Sequence, residues 1–186
     1  MAEDAPAAAP IDPVILAVEV GLTEFQAGLV AGRGALLDRA RVPIEPDAGP
    51  ESNYTALAGV VVKMAESATQ RDLDVLAIGA TSGGRASRDL DAVSPISVVS
   101  WRDFPLRQRL SDLLGLPLYG DLDGKALALA EGWLGAARGH RNFLAITLAA
   151  GVSGGVVVDG DLLGGESGYA GQVGHVVVEP GGRRCH

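Results

Sequence analysis

The residues of this chain that could do chemistry cluster around glycine. Glu19-Val20-Gly21-Leu22-Thr23 places a carboxylate, a glycine and a hydroxyl in one turn between two apolar runs. Glycine lets backbone N–H groups approach an anion closely, and a threonine hydroxyl adds a donor. The same residue types also make an ordinary polar hairpin turn, and the motif alone does not separate the two readings. Gly151-Val152-Ser153-Gly154-Gly155 sits between strand-like runs in the same way. Two opposed glycine hairpins could clamp a polyphosphate through backbone amides. Neither is a P-loop, because no Gly-Lys-Ser/Thr follows, and neither opens a helix as a dinucleotide fingerprint does.

Asp121 and Asp123 lie where a short apolar run gives way to helical periodicity. Strand ends of this kind are where α/β proteins bind ligands. A carboxylate there is either a helix N-cap or a general base that removes a proton from a substrate hydroxyl. His175 and Cys185 are zinc-ligand types, but two ligands fall short of the usual four. Taken alone they read as a loop histidine and an isolated thiol. His140, next to Arg141, reads as surface.

The elements that must position these residues follow from the hydrophobic pattern. Val14 to Val20, Phe25 to Val30 and Ala35 to Ile44 read as a three-stranded meander with tight turns, its first strand buried. Pro43, Pro46 and Pro50 then end it. From Ser52, the residues Leu57, Val60, Val61, Met64, Ala65 and Ala68 form one helical stripe. A buried strand is expected over Val75 to Ile78, followed by a Gly/Ser-rich loop from Gly79 to Ser87. Asp103 as N-cap, Pro105 in the first turn, a stripe of Leu106, Leu110, Leu113 and Leu114, and Gly115 as stop predict a second helix. The pattern then restarts with a strand over Leu116 to Tyr119. A helix follows from Asp123 to Arg138, with Leu127, Ala130, Trp133, Leu134 and Ala137 inward. Strands are predicted over Phe143 to Leu148 and Gly151 to Val158, with an Asp159-Gly160 turn to Leu162 and Leu163. Everything after Gly164 reads as glycine-rich loop around Val176 to Val178. The sum is an α/β chain of two related halves, the second incomplete, divided near Gly115 to Pro117.

Composition narrows the function. The chain has 186 residues, a net charge of −8, 26 glycines and a single cysteine. With 47% hydrophobic and 20% charged residues it can bury a core. The acidic balance argues against general nucleic-acid binding, which draws on Lys and Arg. No run approaches the length of a membrane helix. One cysteine excludes an internal disulfide framework and suits a reducing, cytoplasmic setting. Residues 1–13, rich in Ala and Pro, lack the features of an export signal and read as a disordered tail. That tail is also too short for a helix-turn-helix.

Taken together, these pieces resemble the ROK proteins (repressors, open reading frames and kinases), glucokinase-like members of the actin/hexokinase ATPase superfamily. The resemblance rests on Leu116-Pro117-Leu118-Tyr119 through Ala130-Glu131-Gly132-Trp133-Leu134-Gly135-Ala136-Ala137-Arg138-Gly139. It continues through the second glycine cluster and Tyr169-Ala170-Gly171-Gln172-Val173-Gly174-His175. It implies an actin/hexokinase-like (ribonuclease H-like) fold with a small lobe over 14–115 and the opening part of a large lobe over 116–186. The family's first phosphate loop, Asp-x-Gly-Gly-Thr, falls on Glu19, Gly21 and Thr23, with Leu22 in place of a glycine. The second falls on Gly151, Ser153 and Gly154, with Ser153 in place of a glycine. Asp123 falls on the catalytic aspartate of an ATP- and Mg²⁺-dependent phosphotransfer to a hexose or N-acylhexosamine hydroxyl. Sugar-binding positions fall on Gly83, on Leu122 (an asparagine in the family), on Gln172 (a glutamate in the family) and on His175. The resemblance also makes His175 and Cys185 the first two ligands of a structural zinc whose Cys-x-Cys-Gly-x-x-Gly-Cys run the chain enters but does not finish. It thus implies a fragment, and a homodimer for the whole protein. A sugar-sensing domain without catalysis, as in the family's transcription regulators, is the alternative.

Overall fold

The computed structural model describes residues 13–149 and 151–184. The expected tail, except for Pro13, and the thiol of Cys185 lie outside the described residues. Strands β1 (Val14–Val20), β2 (Glu24–Ala31) and β3 (Leu36–Pro43) form the predicted antiparallel meander. Val14, Leu16, Val18 and Val20 face the core, whereas Ile15 on the opposite face is 37% exposed. The first strand is therefore buried on one face only, where the apolar run had suggested burial on both.

Helix α1 (Pro50–Gln70) buries Leu57, Val60, Val61, Met64 and Ala68, with Ala65 at the edge of the stripe. Pro50 starts this helix at N1, where its missing N–H costs nothing. Asn53 donates from Nδ2 to the carbonyls of Glu45 (3.2 Å) and Ala48 (3.3 Å), which ties the incoming loop to the helix.

Strand β4 (Val75–Ser82) runs parallel to β1 and continues four residues past the predicted end at Ile78. It does so because its last residues pair on both sides, with β1 and with β7 (Leu118–Leu122). Ladder hydrogen bonds override the weak strand preference of Gly79 and Ser82. The first sheet thus has the order β3-β2-β1-β4-β7. The strand expected to open the second half is its fifth member, and the change of sheet comes after Leu122.

Between β4 and β7 lie a small hairpin, β5 (Arg85–Ala86) and β6 (Val93–Ser94), and helix α2 (Leu106–Leu114). Asp103 does not cap α2. Phe104 pairs through its backbone with Val93, which holds the chain extended there, and the Asp103 carboxylate turns away to Arg85 at 2.8 Å. Pro105 takes the cap position, and Gly115, in the left-handed region at φ 68°, ends the helix as predicted. Trp101 is fully buried, stacked on Phe104 at 4.1 Å, and donates from Nε1 to the Pro50 carbonyl. The Arg109 guanidinium lies 3.8 Å above the Tyr54 ring and meets Glu51 through two hydrogen bonds, clamping α2 to α1.

Helix α3 (Asp123–Trp133) is shorter than predicted, and its inward face is displaced by a residue. Gly124, Lys125 and Ala128 are buried, while Ala130, Trp133 and Leu134 are exposed. The physical cause is close packing on the second sheet, which comprises β8 (Phe143–Leu148), β9 (Val152–Val158) and β10 (Asp161–Leu162). A Cβ on Gly155 would lie 2.6 Å from the Gly124 carbonyl and 2.8 Å from the Ala128 Cβ. No side chain larger than that of Ala128 fits directly between the two backbones, and Lys125 is buried by reaching past this contact toward Asp121 and the loop after β10. Asp159 (φ 53°) and Gly160 (φ 92°) form the predicted hairpin turn. Val176 to Val178 form no strand and are 63–91% exposed.

One large core fills the space between the first sheet, α1 and α2, and a small one of Ala128, Ala145 and Val157 lies under α3. On the far side of β8, Leu144, Ile146 and Leu148 are 47–79% exposed. No helix among the described residues is long and apolar enough to cross a membrane.

The α3–β9 contact generates a prediction. Gly124→Ala would drive a methyl into the Gly154 backbone, forcing helix and strand apart. We expect a loss of about 1–3 kcal/mol in urea unfolding, the usual cost of overpacking. An unchanged midpoint would show that the contact is slack.

Candidate functional site

The site is built from the carboxyl ends of three neighbouring parallel strands. Val20 pairs with Ser82, and Ser82 pairs with Leu122, so β1, β4 and β7 end level with one another. The residues that follow, Gly21, Gly83 and Asp123, therefore emerge side by side. This is the mouth of an α/β sheet, where ligands bind because loops and helix starts converge there.

Asp123 opens α3. Its Oδ1 accepts a 2.7 Å hydrogen bond from the Gly124 amide, as a carboxylate in a first helical turn does. Its Oδ2 faces Gly83: a Cβ on that glycine would come within 3.4 Å of it. The missing side chain at Gly83 leaves the carboxylate open. Across from it stands Glu19. Partial burial, then the charges of Asp123 and Glu24, push the Glu19 carboxyl above its ordinary value.

The first hairpin closes tightly. The Gly21 amide donates to the Glu24 carbonyl at 3.2 Å, and a Cβ on Gly21 would lie 2.8 Å from that oxygen. Leu22 is 50% exposed at the tip, and Thr23 is exposed beside it. The Ser97 hydroxyl donates to the Gly21 carbonyl at 2.7 Å, which fastens this hairpin to the segment after β6.

The second glycine cluster differs from its expected form. Only Gly151 lies in the turn; Ser153, Gly154 and Gly155 are strand residues paired with Thr147, Ile146 and Ala145. Gly154 and Gly155 are buried against α3, so their lack of side chains serves helix packing. The Ser153 hydroxyl is buried with no hydrogen-bond partner among the described residues.

Leu122 belongs to the first core and is 6% exposed, so its side chain offers nothing to a sugar. The family resemblance had implied contact; the strand alternation turns the side chain inward. Gln172 is half-buried and directly precedes a short 3-10 turn, Val173–His175. That turn packs on β9, since a Cβ on Gly154 would meet the Val173 Cγ2 at 2.8 Å. It thereby joins the same glycine contact that seats Gly124, next to Asp123. His175 is exposed. Among the described residues no group of three His, Cys, Asp or Glu side chains is placed to hold a metal, so the zinc expectation rests on His175 and the undescribed Cys185.

Two side chains that tie the surroundings of Asp123 together were not singled out as site residues in the sequence. Lys125 is 2% exposed and reaches back to Asp121 and across to the Gly164–Gly168 loop. Its spacing from Asp121 was visible, but nothing in the sequence marks the loop carbonyls it meets. Tyr169 accepts a hydrogen bond from the Ala86 amide at 3.0 Å and bridges that loop to β5. Two cavities among the described residues lie away from Asp123. One of about 600 Å³ borders Leu127, Glu131, His140 and Phe143, and one of about 300 Å³ lies between Arg85, Asp103 and Tyr169.

The sequence pattern described as the ROK family matches residues 15–186. A glucokinase from Halalkalibacterium halodurans is 34% identical over 170 residues, covering 91% of this chain and 52% of that protein. An N-acetylmannosamine kinase from Escherichia fergusonii is 34% identical over 170 residues, covering 91% of this chain and 56% of that protein. The chain therefore spans about half the length of the curated relatives it matches. A ROK family glucokinase from Streptomyces griseus, solved with glucose and AMPPNP, superposes with a TM-score of 0.78 at 29% identity, covering 91% of this chain and 52% of that one. A ROK family transcriptional regulator superposes at 0.82 with 23% identity over 94% of this chain and 44% of its own, a likeness of fold alone. The architecture is actin/hexokinase-like α/β.

The facing carboxylates generate a pH prediction. A Glu19 carboxyl raised above 4.5 means that the folded state holds its proton more tightly than the unfolded state does. The penalty from Glu19 is then absent below the ordinary glutamate range and grows as pH rises through the raised value. Glu19→Gln should unfold at higher urea than the parent at neutral pH, with the gap closing toward about pH 4. A gap that stays the same at both pH values would mean that charge at Glu19 is not its cause.

Proposed function

We propose, since the chain belongs to the ROK family, that it carries the base and the sugar-facing mouth of an ATP-dependent sugar kinase. The acceptor is a hexose or N-acylhexosamine hydroxyl. The carrying observation is the placement of Asp123 at the end of three parallel strands, its carboxylate open toward Gly83 and facing Glu19.

In this reading Asp123 accepts the proton of the sugar hydroxyl as that oxygen attacks the γ-phosphorus. The new O–P bond forms as the bond to the ADP oxygen breaks. Phosphoryl transfer asks a protein mainly for positioning and charge stabilisation. Gly21, Thr23 and Gly151 would hold the phosphates, whereas Ser153 and Gly154, paired in β9, would support the second hairpin from behind. Mg²⁺, when bound, supplies positive charge to the phosphates. Glu19 fits as its ligand or outer partner, because a cation there would offset the burial and the neighbouring charges of Asp123 and Glu24 that raise its carboxyl. Gly83, Gln172, His175 and the backbone at Leu122 would form the sugar side. No step passes through zinc; His175 and Cys185 would hold it together with ligands outside the described residues. A cytoplasmic homodimer is the setting proposed for the whole protein.

Leu22, half-exposed at the phosphate hairpin tip, favours a second reading, a sugar-sensing domain without chemistry. Both readings meet one experiment. Sugar-dependent ATP consumption by the intact protein is measured with glucose and with N-acetylmannosamine, alongside sugar binding by calorimetry. Asp123→Asn should cut turnover by about 10²–10⁴-fold while sugar still binds. Sugar binding without ATP consumption in the parent selects the sensor. Absence of both activities sinks the two readings together.

A further inference from the structure

Lys125 is a cation inside the protein whose place needs a reason. Burying an ammonium is costly unless it is paired and hydrogen-bonded. Its Nζ lies 3.3 Å from Asp121 Oδ1 and donates to the carbonyl oxygens of Gly168 at 2.5 Å and Gly164 at 3.5 Å. One side chain thus joins the end of β7, the first turn of α3 and the loop that follows β10.

Besides Lys125, that loop is held by a 3.5 Å hydrogen bond from Arg88 Nη2 to the Gly165 carbonyl and by Tyr169, which packs against the first core. Gly165, Gly168 and Gly171 all have positive φ (72°, 84° and 89°), conformations that glycine adopts without strain, and glycine loses more backbone freedom on ordering than other residues do. The Ala170 amide closes the loop on the Gly164 carbonyl at 3.2 Å, the same oxygen that Lys125 meets. Tyr169 then anchors the far side through the Ala86 amide. Directly after these anchors come Gln172 and the Val173–His175 turn, packed over Gly154 beside the start of α3.

We propose that Lys125 is a positioning residue: it latches the Gly164–Tyr169 loop and so presets the Gln172–His175 segment for sugar binding at Asp123. The latch acts on a population. If the loop is released, only a fraction of molecules holds the sugar-ready form, and apparent affinity falls by that fraction. Saturating sugar refills the closed form, so turnover at saturation is spared. Effects therefore divide between KM and kcat in a way that general destabilisation does not produce.

The kinetic part of this inference rests on the kinase reading, so the test includes a readout independent of it. In the intact protein, Lys125→Met keeps the aliphatic stem and removes the three donors. We expect glucose KM to rise about tenfold with kcat within about threefold of the parent. Without sugar, amide hydrogen exchange should quicken over residues 164–175 while β1, β4 and β7 keep their protection; saturating glucose should restore it. Tyr169→Phe removes the second anchor and should shift the same two quantities in the same direction, which covers the case in which Lys125→Met fails to fold. Unchanged KM and exchange in either folded variant overturn the latch, as does protection lost evenly through the first sheet. Should the parent consume no ATP with sugar, the kinase reading fails by itself. The latch is then decided by exchange and by calorimetric glucose affinity, and a tenfold weakening with local loss of protection supports it.

Discussion

The pairing of Val20 with Ser82 and of Ser82 with Leu122 is the constraint on which the site depends. Parallel strands pair at fixed offsets, and here those offsets make three strands end in one row. A hairpin, a glycine loop and a helix start then leave the sheet from adjacent positions. Asp123 faces Gly83 and Glu19 because of that row, although the three residues are far apart in the chain. A slip of one residue would turn Asp123 to the other face and Leu122 to the mouth.

The second sheet is joined to this row through glycine. Gly124 on α3 meets Gly154 and Gly155 on β9 at a distance that no side chain could occupy. This contact brings the Val173–His175 turn, seated on the same glycine, to the neighbourhood of Asp123. On the face that meets β9 the helix presents Gly124 and Ala128, while Trp133 and Leu134 lie outward. The charge pattern follows. Carboxylates at Glu19 and Asp123 face the open mouth, and the cation Lys125 is withdrawn behind it among carbonyl oxygens.

Much of the fold was legible because the apolar pattern is regular where one face is buried. The meander, the α1 stripe, the Gly115 stop and the Asp159-Gly160 turn come from local chemistry. Reading failed where pairing outvoted propensity. Gly79 to Ser82 looked like loop because glycine and serine favour turns, yet partners on both sides make them strand. Asp103 looked like a cap, but the Phe104 bridge to Val93 sets the backbone there. In the candidate site, Asp123 was legible from its strand-to-helix setting. Lys125 was not, because its partners are backbone carbonyls about forty residues further along the chain.

By itself the sequence determined the kinds of element and the identities of the reactive groups: glycine turns, an aspartate opening a helix and a histidine after a glycine loop. These are matters of local conformational preference and side-chain chemistry. Only the tertiary structure decided which glycines serve turns and which serve packing, that Leu122 lies in the core, and that a lysine is buried beside the loop it holds. Each of these depends on what lies across the sheet or the helix interface, and such neighbours come from distant residues that no local pattern encodes.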